Sequence, residues 1–259
     1  MKTFVIGDIH GAHAALLQCL ERSGFDKDND RLITLGDICD GWPYVAECVD
    51  ELLTIENRID IMGNHDEWFL DWIRTGIHPD RWKQGGAGTR KSYKRKLAAE
   101  LERFFDKEFF GATGLYTHNI PDEHKDFFYH QRLYFVDESN NLFVHAGIRR
   151  QVLLCDQFSS TLLWDRELYE DAIIASRTKT KLRFIQQFAN VFIGHTNTLR
   201  HNRNVLRQDD HYAPVFADRV INIDTGSGFS GKLTIMEVET KQYWQSDIVT
   251  DLYPDEEGR

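Results

Sequence analysis

Proline is scarce in this 259-residue chain, five in all and none clustered, and no Gly/Ser-rich stretch interrupts it. Without a linker, a repeat or a low-complexity segment, the sequence reads as one continuous globular unit. No apolar run is long enough to cross a bilayer, and Met1-Lys2 leads straight into a strand-like run, so neither a membrane span nor a signal peptide is expected. Cysteine is sparse too. Cys19, Cys39, Cys48 and Cys155 have neither metal-site nor disulfide spacing, which suits a reducing cytoplasm. Basic residues are outnumbered, 31 Lys and Arg against 41 Asp and Glu, and a net charge of −10 argues against a stable nucleic-acid partner. What remains, 41% hydrophobic and 12% aromatic, is enough for a sizeable core.

Within that chain, five apolar, mostly β-branched runs each end at glycine or at a metal-ligand side chain. Thr3-Phe4-Val5-Ile6 precedes Gly7-Asp8-Ile9-His10-Gly11, and Leu32-Ile33-Thr34-Leu35 precedes Gly36-Asp37-Ile38-Cys39-Asp40-Gly41. Ile59-Asp60-Ile61-Met62 precedes Gly63-Asn64-His65-Asp66, Leu142-Phe143-Val144 leads into His145-Ala146-Gly147, and Val191-Phe192-Ile193 precedes Gly194-His195-Thr196. Such runs predict buried strands. Their polar residues then lie just past the strand carboxyl ends, where open α/β sheets place ligands.

Oxygen and imidazole donors gathered from five strand ends suit a pair of divalent cations. Asp8 and His10 are two apart, project to one side of an extended chain and can hold one ion together. Two cations about 3.5–4 Å apart need a shared ligand, and Asp37 is the natural bridge. Asn64, His145 and His195 complete the second ion. Cys39 lies between candidate ligands but points to the other face, although its position suggests sensitivity to oxidation. The donors favour Mn²⁺, with Fe, Zn²⁺ or Ni²⁺ as alternatives, over a thiolate zinc site.

The order Gly-Asp-x-His-Gly, Gly-Asp-x-x-Asp, Gly-Asn-His-Asp, His-Ala-Gly, Gly-His-Thr resembles the bacterial and phage phosphoprotein phosphatase branch of the calcineurin-like metallophosphoesterases. The segments Trp82-Lys83-Gln84-Gly85-Gly86-Ala87-Gly88-Thr89-Arg90-Lys91-Ser92-Tyr93, Leu162-Leu163-Trp164-Asp165-Arg166 and Ile223-Asp224-Thr225-Gly226 extend the likeness to roughly residues 3–240. The resemblance implies an α/β fold, a β-sandwich flanked by helices with the site at the strand ends. It implies Asp8, His10 and Asp37 on one metal, and Asp37, Asn64, His145 and His195 on the other. His65 matches the histidine that protonates the leaving oxygen and Asp40 the carboxylate paired with it; a metal-bridging hydroxide is the implied nucleophile. Asp224-Thr225-Gly226 reads mainly as a strand end and turn, and Trp164 as core or wall.

One departure bears on substrate. The family pattern carries arginine directly after the position of Asp40, and here Gly41 stands there. A phosphate dianion favours a bidentate guanidinium, for which Arg149, Arg150, Arg166 and Arg90 are the alternatives, Arg149 foremost. Residues 81–96 carry Arg81, Lys83, Arg90, Lys91, Lys94, Arg95 and Lys96 without an acidic residue. That run reads equally as a positive lip for anionic substrate or as a solvated helix face.

Helical patterns fall at about 12–24, 44–54, 67–75, 90–105, 121–129 and 180–188, so residues 67–130 predict a helical insertion over the strand ends. Residues 1–246 form the expected catalytic domain, and 247–259 an acidic, loose tail. The expected activity is two-metal hydrolysis of phosphomonoesters on serine or threonine side chains, with dual specificity included. A diadenosine tetraphosphatase or nucleotide polyphosphate hydrolase is the rival enzyme, slightly favoured by Asp66 where protein phosphatases commonly carry Glu. A weakly catalytic metal- and phosphate-binding regulatory protein is the rival from another class.

Overall fold

The computed structural model describes residues 1–101, 114–183, 185, 187–202 and 211–259. From the N-terminus, β1 (Thr3–Ile6), α1 (His13–Ser23), β2 (Arg31–Thr34), α2 (Val45–Leu53) and β3 (Arg58–Asp60) alternate. Helices α3 (Asn64–Thr75), α4 (Gly86–Leu101) and α5 (Asp122–Tyr129) follow, and they occupy the stretch expected as a helical insertion. The chain continues through β4 (Tyr134–Val136), β5 (Leu142–Val144), α6 (Ser159–Trp164), α7 (Glu167–Arg177), β6 (Val191–Ile193) and α8 (Leu199–Asn202). It ends with β7 (Val215–Ala217), β8 (Val220–Asn222), β9 (Thr234–Glu237), β10 (Tyr243–Gln245) and α9 (Val249–Leu252).

The strands form two five-stranded sheets, ordered β10-β9-β1-β2-β3 and β4-β5-β6-β8-β7. In the first, β1, β2 and β3 are parallel; in the second, β5, β6 and β8 are parallel. The remaining strands add at the sides in antiparallel pairs. Because side chains alternate along a strand, each apolar run serves two cores. Val5, Ile33, Phe143, Phe192 and Ile221 pack between the sheets, whereas Phe4, Ile6 and Leu32 face the helices of the first sheet. Leu142, Val144, Val191 and Ile193 face α7 behind the second. The Phe143 and Phe192 rings stack at 4.9 Å across the parallel β5–β6 pair.

Helix α1 buries Ala15, Leu16, Cys19 and Leu20, a stripe at helical spacing, and stops at Gly24 with φ +67°. Among the described residues of 180–188 there is no helix. Leu182, Ile185 and Phe188 repeat every three residues because all three sink into the core behind the second sheet. There the Leu182 N–H donates to Asp218 Oδ2 rather than to a helical carbonyl. Residues 184 and 186, like 102–105 at the end of the expected 90–105 helix, lie outside the described residues. That helix begins earlier than expected, with Gly86 and Gly88 inside its first turn.

Residues 247–259, expected as a loose tail, pack against the body of the protein. Tyr253 stacks on both Trp42 and Tyr44 at 5.0 Å, and its hydroxyl accepts the Ala14 N–H at 2.6 Å. Glu256 pairs with Lys91, and the Arg259 N–H donates to the Gly228 carbonyl at 2.8 Å. Buried aromatic area outweighs the acidic composition that suggested solvent.

The inter-sheet layer holds the two halves of the site in register. Phe143→Ala is expected to destabilise the fold by about 3–5 kcal/mol, read as a lowered urea midpoint at unchanged slope. A loss below about 1 kcal/mol would mean that this layer is not a shared core.

Candidate metal centre and active site

All six parallel strands end at the same edge. Asp8 and His10 follow β1, Asp37 and Asp40 follow β2, and Asn64 and His65 follow β3; His145, His195 and Asp224 follow β5, β6 and β8. Every one of these side chains is buried. Turning them inward costs unusual backbone: His10, Asp37, Asp40 and His195 have φ of 50°, 50°, 68° and 63°. Non-glycine residues seldom adopt that region, and such outliers persist where surrounding structure enforces them. Here His10 N–H donates to the Asp37 carbonyl at 2.8 Å, and Gly194 N–H to the His145 carbonyl at 2.8 Å. Two glycines permit the close approach. A Cβ on Gly194 would lie 2.0 Å from Asp8 Oδ1, and one on Gly63 would lie 2.1 Å from Asp37 Oδ1.

The side chains gather into two groups, Asp8–His10–Asp37 and Asp37–His145–His195, with the donor atoms of each within 4.8 Å of one another. Asp37 belongs to both. Its Oδ1 accepts the His65 N–H, while Oδ2 has no hydrogen-bond partner among the described residues and lies 3.6 Å from His10 Nε2 and 3.5 Å from His145 Nε2. Tautomers follow from the other ring nitrogens. His10 Nδ1 donates to the Cys39 carbonyl at 2.9 Å and His145 Nδ1 to the Leu35 carbonyl at 2.7 Å, so both Nε2 lone pairs face the carboxylate. Asn64 Oδ1 lies 3.0 Å from His145 Nε2 and 2.9 Å from His195 Nδ1. Acceptors facing acceptors in a buried space require a cation to be stable. The donor set therefore fits two divalent ions sharing Asp37.

Charge states agree. Burial lowers His10 to about 3 and His145 below the usual histidine range. Burial, with His145 and Arg166 nearby, lowers His195 to about 2, so all three imidazoles are neutral, as metal ligation needs. Asp8 is pushed well above the usual carboxylate range by burial, Asp224 and Asp37, and Asp224 rises to about 6 through burial and Asp37. For Asp37, burial is outweighed by positive charge on His145, His65, His10 and Arg259, which would hold it well below that range; with His10 and His145 neutral, Arg259 is the permanent positive charge among these.

Beside this set stands a dyad. His65 Nδ1 donates to Asp40 Oδ2 at 2.7 Å, and His65 Nε2 is buried without a partner among the described residues. Asp40 Oδ1 accepts from Trp82 Nε1 at 2.8 Å and Thr89 Oγ1 at 2.7 Å. Sequence reasoning assigned no role to Trp82 or Thr89, although the Gly-Gly-x-x-Thr segment that carries Thr89 was conspicuous. Asp66 is an anchor: its carboxylate accepts the N–H groups of Ile38, Cys39 and Gly63 and the Gln131 amide. Its identity thus reports loop anchoring rather than substrate. Cys39 is fully buried with its thiol pushed well up, chiefly by burial, which removes the basis for oxidation sensitivity.

Of the expected arginines, Arg166 lies against the ligand set, its Nη1 donating to Thr196 Oγ1 at 2.9 Å beside His195. Arg149, the foremost expectation, is exposed, with its backbone tied to Gln157. Arg150 pairs with Asp171, and exposed Arg90 lines a separate cleft with His78 and Trp82. The basic run is partly consumed by packing: Lys91 pairs with Glu256, Arg95 with Glu47 and Lys96 with Asp50. Two residues were undervalued in the sequence. Asp224 completes the parallel strand ends, and Arg259 Nη1 donates to His10 Nε2 at 3.3 Å.

Proton release on metal uptake follows from these charges. Below about pH 6 the protein without metal carries a proton on Asp224, and cations favour the carboxylate, so uptake expels protons increasingly as pH falls through 6; Asp8, also raised by burial and its carboxylate neighbours, adds release in the same sense. His10 and His195, already neutral, contribute none. Titration calorimetry with Mn²⁺ at pH 6, in buffers of different ionisation enthalpy, is expected to give buffer-dependent heats that shrink by pH 8. Identical heats in all buffers at pH 6 would contradict this.

The profile of the family described as calcineurin-like phosphoesterase matches residues 1–217. Serine/threonine-protein phosphatase 1 of Salmonella typhimurium strain LT2 is 26% identical over 243 residues, 91% of each chain. A symmetrical bis(5'-nucleosyl)-tetraphosphatase of Coxiella burnetii strain Dugway 5J108-111 is 34% identical over 101 residues, covering 39% of this chain and 31% of that protein. Among solved structures, that of a proposed diadenosine tetraphosphatase superposes with a TM-score of 0.60 at 16% identity, covering 94% of this chain and 92% of that one. The last likeness concerns the two-sheet fold alone.

Proposed function

The chain belongs to the calcineurin-like phosphoesterase family, and from that premise we propose that it removes phosphate from serine and threonine side chains of proteins, using two divalent cations. Hydrolysis of phosphoesters comes with the family. The observation that carries the reading is the pair of donor groups sharing Asp37, with the His65–Asp40 dyad alongside. Asp8, His10 and Asp37 would hold one cation, and Asp37, Asn64, His145 and His195 the other. When bound, such ions neutralise phosphate charge and lower the pKa of a water for attack on phosphorus. Mn²⁺ suits the mixed carboxylate, amide and imidazole donors, with Fe, Zn²⁺ and Ni²⁺ as alternatives.

His65 has the protein's own chemical task. A serine or threonine alkoxide leaves poorly, and a proton delivered from His65 Nε2 contributes about 10²–10⁴-fold. Asp40, accepting the Nδ1–H, fixes the tautomer that exposes Nε2. Trp82 and Thr89 hold Asp40 in turn.

Substrate class rests on extent of likeness. The phosphatase of Salmonella parallels 91% of this chain, whereas the tetraphosphatase of Coxiella parallels 39%. The second reading, a dinucleotide polyphosphate hydrolase, draws on the higher identity of that shorter match. The two predict different dependence on His65, because a phosphoanhydride has the better leaving group. The metal-loaded protein is expected to favour phosphoserine and phosphothreonine peptides over a phosphotyrosine peptide and diadenosine tetraphosphate in initial rates with Mn²⁺. His65→Ala should lower kcat on the phosphoserine peptide by roughly 10²–10⁴-fold at unchanged metal content. Preference for the dinucleotide would transfer the assignment to the second reading. Full activity in the Asp8→Ala, His10→Ala double variant would refute the metal assignment, and no turnover of any phosphoester would leave a regulatory binder.

A further inference from the structure

The guanidinium absent after Asp40 is matched by one arriving from a distant part of the chain. Gly41 has φ +88°, and a Cβ there would lie 3.1 Å from the His10 carbonyl oxygen and 3.8 Å from Arg259 Cβ. A side chain at position 41 would thus be strained, and the space beside it carries Arg259. Trp42, the next residue, is buried, donates Nε1–H to the Ser227 carbonyl at 2.7 Å and stacks on Tyr253. A Cβ on Gly258 would lie 2.8 Å from the Trp42 ring, so the chain approaches the indole closely just before Arg259.

Three contacts then aim Arg259. Its backbone N–H donates to the Gly228 carbonyl, its guanidinium carbon lies 5.4 Å from the Phe229 ring centroid, and Nη1 reaches His10 Nε2 at 3.3 Å. The guanidinium thereby lies close enough to Asp8, Asp37 and Asp224 for its charge to act on all three, and Arg259 remains half-buried rather than sealed. A cleft of about 600 Å³ opens beside Arg259, bordered by Gly41, Lys83 and Lys91 and by the carboxylates of Asp255, Glu256 and Glu257.

We propose that Arg259 is a substrate-phosphate-binding residue, held over Gly41 by the packing of Tyr253 and Gly258 on Trp42, and that it takes the place of the side chain position 41 lacks. The assignment rests on the phosphoesterase reading of the same site. A planar, permanently charged fork beside a metal centre grips a phosphate through two oxygens, which a lysine ammonium does not reproduce. The pair Gly41-Trp42 is then one device: glycine clears the space, and tryptophan anchors the segment that fills it.

The test is binding of inorganic phosphate to the Mn²⁺-loaded protein by calorimetry, alongside metal content and hydrolysis of 4-nitrophenyl phosphate. Arg259→Ala is expected to weaken phosphate binding roughly 10- to 100-fold, the usual range for a charged hydrogen-bonding pair. KM should rise in parallel at unchanged metal stoichiometry, and Arg259→Lys should recover only part of the loss. Phosphate affinity within about twofold of the parent in Arg259→Ala would overturn the assignment, as would a parent that binds no phosphate. So would tighter Mn²⁺ binding with faster turnover in Arg259→Ala, which would mark the guanidinium as a plug on His10. If the parent hydrolyses no phosphoester while Arg259→Ala still loses phosphate, the proposed function falls and the Arg259 assignment stands.

Discussion

Buried acceptors that face one another are the constraint on which this structure turns. Asp37 Oδ2 and the Nε2 atoms of His10 and His145 converge with no proton to share among the three, because the Nδ1–H of each ring is spent on a backbone carbonyl, and the Arg259 guanidinium donates from outside to His10 Nε2. Repulsion of this kind is tolerable only if a rigid frame opposes it and a cation relieves it. The frame is the pair of sheets, each contributing three parallel strands whose carboxyl ends meet at one edge. The inter-sheet layer of Val5, Ile33, Phe143 and Phe192 is therefore also what keeps the two halves of the ligand set opposed.

Around that centre, hydrogen-bonded supports fix the neighbouring loops and the His65–Asp40 pair. Asp66 gathers the loops after β2 and β3 by accepting from three backbone amides and Gln131. Trp82 and Thr89, from the region at the start of α4, hold Asp40, which orients His65. Pairing of Arg95 and Lys96 with Glu47 and Asp50 clamps α4 to α2, so part of the basic run serves this scaffold rather than a field for anions.

Legibility differed by the range of the signal. Each metal-ligand candidate follows a short apolar run, so Asp8, His10, Asp37, Asn64, His145 and His195 could be placed at strand ends from neighbours within a few residues. Helix 180–188 was misread because an apolar repeat of three also suits irregular chain lying on a core, as Leu182, Ile185 and Phe188 do. Arg149 was favoured over Arg166 on proximity in sequence to a ligand motif, but the turn after His145 carries it outward. The residues at 247–259 looked solvated by composition, and the burial of Tyr253 against Trp42 was invisible without the fold.

The chemistry was thus determined locally: which atoms can bind a cation, which strand presents each, and which histidine stands beside a carboxylate. Those properties depend on residue type and on the two-residue period of a strand, both of which a sequence carries directly. Tertiary structure alone decided what crosses the site from far away. Arg259 meets His10 across 249 positions, and Trp82 meets Asp40 across 42. Such contacts arise from packing of elements whose relative placement no local pattern encodes, which is why the cation beside Gly41 came to light only in the fold.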